Sequence, residues 1–155
     1  MGAIERFMDS ARGLGVEPRI QRFPEGTKTA ADAARAIGCD VAQIVKSLIF
    51  MVDGRPVIAF TSGANRVDPS KLAVVAEASE ARRASPEEAR AATGFAVGGT
   101  PPFGHPVSLP AFVDPVLLAF QEVWAAAGTP DAVFPLPPSE LLRAAGAQPA
   151  EFTEG

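Results

Sequence analysis

The first residue that could do chemistry is Lys46, near the start of the most hydrophobic segment of the chain, residues 44–52. If this segment is a strand, alternation places Lys46 on one face with Ile44, Leu48 and Phe50. Its ammonium then either reaches solvent along its alkyl stem or points into a pocket, where it could donate charge-assisted hydrogen bonds. Because lysine is rarely buried, a solvated strand end is the alternative interpretation.

The second candidate is a stretch rich in glycine and proline, residues 98–106, which we call the glycine–proline loop. Prolines lack an N–H donor and glycines adopt unusual backbone angles, so a regular helix cannot pass through it. Glycines also let a backbone N–H approach a ligand closely, and prolines keep the loop stiff, which suits the binding of an oxyanion. A structural crossover loop would have the same composition.

A third segment, residues 61–68, is a polar turn after a hydrophobic run, and Asp68 before Pro69 is typical of a helix cap. The sequence lacks the GxSxG, GxxxxGK[ST], GxGxxG and HExxH motifs, which argues against triad hydrolysis, nucleotide triphosphate hydrolysis and dinucleotide redox chemistry. With one cysteine, Cys39, and one histidine, His105, the chain cannot build a disulfide or a typical transition-metal site. We therefore expect no metal and no organic cofactor.

The elements that must position these segments are short. Two apolar runs, 44–52 and 56–61, flank Asp53-Gly54 and predict a β-hairpin. Capping residues predict helices that begin after Thr29, Asp68 and Ser85. We also expect a first helix that ends near Gly13 or Gly15, a closing helix that runs from its cap Ser139 to Ala145, and strands at 95–97, 111–113, 122–126 and 132–136. Clustered strands among short helices predict an α/β fold of α+β-like type, with a mixed sheet.

Chain length and charge distribution limit the number of domains and the kinds of partner that the sequence can have. The chain has 155 residues, 47% of them hydrophobic, and no linker or repeat, so we predict one domain over residues 1–155. Residues 1–83 carry 12 Lys and Arg against 10 Asp and Glu, whereas residues 84–155 carry 2 against 8. This balance argues against a broad nucleic-acid-binding face but permits a local basic patch, with Arg19, Arg22, Lys28, Lys46, Arg66 and Lys71 as its material. Without a membrane-length apolar run or a secretory signal, the sequence predicts a cytoplasmic protein that does not bind membranes.

Taken together, these segments resemble the YbaK-like aminoacyl-tRNA editing domain family, which includes free-standing deacylases and domains inserted in prolyl-tRNA synthetases. The resemblance runs from about residue 27 to residue 146. The residues that carry it are 43–48, 62–68 with Lys71-Leu72, 98–105, 112–114 and Ala127-Gly128. It implies a mixed-sheet α/β fold and hydrolysis of the ester that joins a wrong amino acid to the terminal adenosine of tRNA, most often tRNA for proline.

The resemblance also implies roles for particular residues. It makes Lys46, Gly99 and Thr100 the catalytic candidates, with the lysine holding the terminal phosphate or ribose and loop amides polarising the ester carbonyl. The candidates for substrate binding are Ser62, Gly63, Asn65, Gly98, Pro101, Pro102, Phe103 and His105. No residue is an obvious general base, and family members are thought to position water partly with groups of the substrate.

Two departures from relatives leave the edited amino acid open. Ser47 follows the lysine where others carry threonine or asparagine, and Ala64-Asn65 replaces charged residues. Alanine, cysteine, serine and threonine all stay candidates. The expected partners are the acceptor end of tRNA with its amino acid and, as a source of extra affinity, prolyl-tRNA synthetase or an elongation factor.

Two other functions fit the sequence. One is a non-catalytic accessory module that binds tRNA or a synthetase, which loss of Lys46 or of the loop would have favoured. The other is a hydrolase of free amino-acid esters or amides.

Overall fold

The computed structural model describes residues 2–24, 27 and 29–154. Its helices are α1 (Ala3–Gly13), α2 (Ala30–Ile37), α3 (Pro69–Val75), α4 (Pro86–Thr93), α5 (Pro115–Leu118) and α6 (Ser139–Arg143), with a 3-10 turn at Val41–Gln43. Its strands are β1 (Gln21–Arg22), β2 (Val45–Val52), β3 (Arg55–Ser62), β4 (Ala81–Arg83), β5 (Ala111–Val113), β6 (Val123–Ala126), β7 (Ala132–Leu136) and β8 (Gln148–Pro149).

The strands form two sheets. A five-stranded sheet has the order β4-β2-β3-β5-β8, and a three-stranded sheet has the order β1-β7-β6. In the larger sheet β2 pairs antiparallel with β3 and β4, whereas β5 runs parallel to both β3 and β8. The predicted mixed sheet with short helices is therefore confirmed.

The predicted hairpin is confirmed as well. Strands β2 and β3 pair from Val45↔Ser62 to Val52↔Arg55, joined by Asp53 and Gly54. Both turn residues have a positive φ, 48° and 80°, as a two-residue hairpin turn of type I′ requires. This register puts Lys46 opposite Thr61. Lys46 therefore lies at the end of the hairpin where the turn after β3 begins.

The predicted helix caps at Thr29, Asp68 and Ser85 are also confirmed. The side chain of Thr29 accepts a hydrogen bond from Asp32 N–H, and that of Asp68 accepts from Ser70 and Lys71 N–H. Ser85 and Glu88 form a complete capping box at the start of α4. These caps fix where the helices around the sheets begin.

Two expectations were wrong. Residues 95–97 are not a strand: Thr93 Oγ1 accepts from Phe95 N–H at 3.1 Å, and Gly99 N–H donates to Ala96 O at 3.0 Å, so the chain turns twice. Ser139 does not cap α6 but is its first residue, after Pro138, and the helix ends at Arg143 rather than Ala145. Turns therefore replace the predicted strand at 95–97, whereas the predicted closing helix forms with a different start and end.

The main core lies between the sheets and ties α1 to the glycine–proline loop. Phe7 of α1 is fully buried, with its ring centroid 5.5 Å from that of Phe103 and 5.1 Å from that of Phe134. Helix α1 thus packs directly beneath the loop. None of the described helices combines the length and apolar character needed to cross a membrane.

Candidate active site

A cavity of about 400 Å³ opens at the edge of β2. It is bounded by α2, α4 and β6 and by the first residues of the glycine–proline loop. Strand β4 pairs with β2 only at residues 50–52, so the other end of that edge, around Lys46, faces the cavity. Lys46, Gly98 and Thr100 all line it. The structure therefore brings the predicted lysine and the start of the predicted loop together, although 52 residues separate Lys46 from Gly98.

The Lys46 ammonium is partly buried and donates a hydrogen bond of 2.5 Å to the carbonyl oxygen of Asn65. Burial lowers its pKa, and the neighbouring guanidinium groups of Arg83 and Arg66 lower it further. The carboxylate of Asp114 acts in the opposite direction. Since like charges crowd the ammonium, an anionic ligand would relieve repulsion here.

Three residues predicted to bind substrate lie behind Lys46 and do not line the cavity: Ser62, Gly63 and Asn65. Ser62 Oγ donates to Ala42 O at 2.8 Å, and Asn65 Nδ2 donates to the Asp114 carboxylate at 2.9 Å. A Cβ on Gly63 would come within 2.5 Å of a backbone oxygen, that of Val41. These residues form a tightly packed turn whose carbonyl holds the lysine.

The first half of the glycine–proline loop presents backbone donors. Gly99 is locked in place, since its N–H donates to Ala96 O and its carbonyl accepts from Gly128 N–H at 2.9 Å. Among the described residues, the N–H groups of Gly98 and Thr100 have no acceptor. The two donors free for a ligand are therefore those flanking Gly99 rather than Gly99 itself.

The second half of the loop turns away from Lys46. Pro102, Phe103 and His105 line a different cavity, of about 310 Å³, which faces α1. Buried Pro101 accepts a hydrogen bond of 2.7 Å from His105 Nε2 through its carbonyl. Burial lowers the pKa of His105. Of the site residues predicted in this loop, Gly98 and Thr100 therefore line the lysine cavity, whereas Pro102, Phe103 and His105 line the other cavity.

Sequence reasoning missed most of the cavity lining, including its two largest polar or aromatic side chains beside Lys46, those of Arg83 and Trp124. Arg83 reaches it through β4, a three-residue strand with no local signature. Trp124 is the single tryptophan of the chain and lies on a strand that the sequence predicts. Its residue type and position could therefore have marked it as a candidate for the site.

Several residues of the predicted basic patch have partners within the protein. Arg19 and Arg22 are paired with Glu122 and Asp131, Lys71 donates to Thr153 O, and Lys28 lies outside the described residues. Only Arg66 of that set adds to the charge around Lys46. Within the described residues, no group of three or more His, Cys, Asp or Glu side chains could hold a metal ion.

Two solved structures share this architecture. A crystal structure described as that of a candidate trans-editing enzyme for prolyl tRNA synthetase superimposes with a TM-score of 0.93 and is 42% identical, over 100% of this chain and 99% of that one. The hypothetical protein APE2540 superimposes with a TM-score of 0.87 at 29% identity, over 96% of this chain and 99% of that one.

Curated protein sequences are also similar to this chain. The protein YwhH of Bacillus subtilis, which is uncharacterized, is 31% identical over 81% of this chain and 80% of its own length. The proline–tRNA ligase of Solidesulfovibrio magneticus is 33% identical over 69% of this chain, but the match spans only 18% of the ligase. The family model for the aminoacyl-tRNA editing domain matches residues 24–144, which include Lys46 and the whole glycine–proline loop. The chain therefore belongs to the aminoacyl-tRNA editing domain family.

Proposed function

We propose that this protein is a trans-editing deacylase that hydrolyses the ester between tRNA and a wrongly attached small amino acid, with tRNA for proline as its substrate. The observation that carries the proposal is the cavity lined by Lys46, Gly98 and Thr100, in which the N–H groups of the last two have no acceptor among the described residues. Membership of the editing family supports the reaction class. The relation to prolyl-tRNA synthetases supports the choice of tRNA.

Lys46 supplies the anchor for the substrate. Its ammonium lies at the cavity beside Arg83, so the terminal phosphate or ribose of the tRNA can exchange for, or add to, the Asn65 carbonyl as its partner. Charge-assisted hydrogen bonds to an ionised group are about twice as strong as neutral ones. In this proposal the lysine sets the position of the ester relative to the loop, and positioning is itself a large part of catalysis.

The loop supplies the electrophilic assistance. In this proposal the N–H groups of Gly98 and Thr100 donate hydrogen bonds to the ester carbonyl oxygen, which becomes an oxyanion when water attacks its carbon. The tetrahedral intermediate then expels the ribose oxygen, which takes up a proton, and releases the free amino acid. Because Gly99 is held by Gly128, the flanking donors are preorganised for this charge.

In the part of the chain that the structure describes, the cavity has no obvious general base. Its described lining contains neither a carboxylate nor a histidine. We therefore assign the orientation of the attacking water to groups of the substrate, the ribose hydroxyl and the amino group being the nearest candidates. An aminoacyl ester is labile, so orientation and oxyanion stabilisation suffice without a strong base.

Cavity size limits the amino acid. The walls near Lys46 are lined by small and apolar residues, including Ala84, Ala89 and Ala125. A pocket excludes a larger side chain by steric clash, whereas one methylene of difference is worth only about 1–3 kcal/mol. We therefore propose partial selectivity among small residues such as alanine, cysteine, serine and threonine. The acceptor end of tRNA is the partner, with added affinity from prolyl-tRNA synthetase or an elongation factor.

A deacylation panel tests the proposal. One tRNA for proline is charged in turn with alanine, serine, cysteine, threonine and proline, and release of the amino acid is followed with and without the protein. We expect at least one small non-cognate ester to be hydrolysed faster than prolyl-tRNA. Faster turnover of a free aminoacyl ester than of every charged tRNA would instead identify a small-molecule esterase, and binding of tRNA without any release would identify an accessory module.

A further inference from the structure

We propose that Asp114, a carboxylate outside the cavity, is a positioning residue for Lys46 and acts through the turn formed by residues 62–65. The catalytic part of this inference rests on the proposed function, whereas the structural part does not. The proposal adds a residue that does not line the cavity and that lies directly after β5, as the N-cap of α5.

Asp114 is almost completely buried, at 1% exposure. Its Oδ1 accepts a hydrogen bond of 3.0 Å from Val116 N–H, which caps α5. Its Oδ2 accepts two more, from Ser62 N–H at 3.1 Å and from Asn65 Nδ2 at 2.9 Å. A buried carboxylate is costly unless such donors satisfy it, so the two bonds to the turn are difficult to give up.

The same turn holds the lysine. Asn65 is fixed by its side chain on Asp114, and its N–H donates to Ser62 O at 2.9 Å. Its remaining backbone group, the carbonyl oxygen, accepts from Lys46 Nζ. The chain of contacts therefore runs from Asp114 through Asn65 to the ammonium, and release of the Asn65 side chain would free the acceptor that fixes the lysine.

Charge gives Asp114 a second effect on the same group. The charged groups that act on Lys46 are Arg83 on β4, Arg66 just beyond the turn, and Asp114. Both arginines lower the pKa of Lys46 and Asp114 raises it. Removal of the negative charge leaves the ammonium facing two guanidinium groups, so the lysine should lose its proton at a lower pH.

The chain contains a matched control for the capping role of Asp114. Asp68 also precedes a proline, and its carboxylate caps α3 by accepting from Ser70 and Lys71 N–H. Asp68 is not among the groups that act on Lys46. The variant Asp68→Asn therefore changes an equivalent helix cap without touching the contacts to Lys46.

The test uses the full chain with ¹³C-labelled lysine. The sequence has three lysines, Lys28, Lys46 and Lys71, so the Cε resonances can be assigned from Lys→Arg variants and titrated against pH. We expect the Lys46 midpoint to fall in Asp114→Asn and to stay at its wild-type value in Asp68→Asn. An unchanged midpoint in Asp114→Asn, or an equal fall in both variants, would overturn the proposal; a merely structural role does not move the Lys46 midpoint.

Deacylation gives the second readout. We expect Asp114→Asn to lower the rate roughly 10- to 100-fold, as displacement of a positioning contact does, and Asp68→Asn to keep the parental rate. Asn65→Ala retains the carboxylate, the α5 cap and the bond from Ser62 N–H, but it removes the side-chain link from Asp114 to the residue whose carbonyl holds Lys46. This variant therefore tests the proposal if Asp114→Asn does not fold. A parental rate in a folded Asn65→Ala would contradict the proposal. If the wild-type protein deacylates no charged tRNA, the proposed function fails while the lysine titration still decides the role of Asp114.

Discussion

Replacement of Lys46 by alanine is expected to abolish deacylation while the protein stays folded. The ammonium is the cationic side chain of β2 at the cavity, and its loss removes the anchor for the terminal phosphate or ribose. A charge-assisted contact is worth about 1.5–3 kcal/mol, which corresponds to a rate loss of roughly ten- to more than a hundredfold. Single-turnover release of the amino acid from misacylated tRNA measures the effect.

Stability should hold or rise in the same variant. The folded-state pKa of Lys46 is lowered by burial and by Arg83, so the charged lysine is less favourable in the folded state than in the unfolded one. The matched control is Lys71→Ala, since Lys71 also donates to a backbone carbonyl, that of Thr153, but does not line the cavity. If Lys46→Ala melts like the parent and also hydrolyses at the parental rate, the lysine is an ordinary strand residue and the site assignment is wrong.

Replacement of Gly99 by alanine should damage both stability and activity. A Cβ at this position would come within 2.8 Å of Gly128 O and of Thr129 Cα, which are backbone atoms and cannot rotate away. Forcing an extra methyl group into such a contact costs about 1–3 kcal/mol, or displaces the loop. Displacement would move the N–H groups of Gly98 and Thr100 away from the ester carbonyl, and we expect deacylation to fall at least about tenfold.

Gly13→Ala is the control for this substitution. Gly13 ends α1, and a Cβ there would have nothing within 4 Å. Chemical denaturation should show no loss of stability for Gly13→Ala and a clear loss for Gly99→Ala. Wild-type stability together with wild-type deacylation in Gly99→Ala would mean that the packing of the loop on Gly128 has no part in the reaction.

The features that could be predicted from sequence are those fixed by neighbouring residues. The β2–β3 hairpin follows from two apolar runs around Asp53-Gly54, and the starts of α2, α3 and α4 follow from their capping side chains. Lys46 was recognisable because a cation on an apolar strand is unusual. Strands β4 and β8 were not predicted, since they have three and two residues and are defined by distant partners.

The internal arrangement of the site depends on distant contacts. Nothing local indicates that Asn65 faces Asp114, which is 49 residues away, rather than the substrate. Nor does the glycine–proline loop show by itself that Phe103 is drawn toward Phe7 while Gly98 stays beside Lys46. Resemblance to the editing family predicts the segments of the candidate site, but packing decides which of their residues line the cavity.

Binding of a substrate analogue tests most directly whether the aminoacyl end of tRNA enters the cavity beside Lys46. The probe is alanyl-adenosine in which an amide replaces the ester, added to protein carrying ¹³C-labelled lysine. We expect the Lys46 resonance to move in a saturable way as the analogue is added, while that of Lys71 keeps its position. An analogue that inhibits deacylation but leaves the Lys46 resonance unmoved would contradict the assignment of this cavity as the active site.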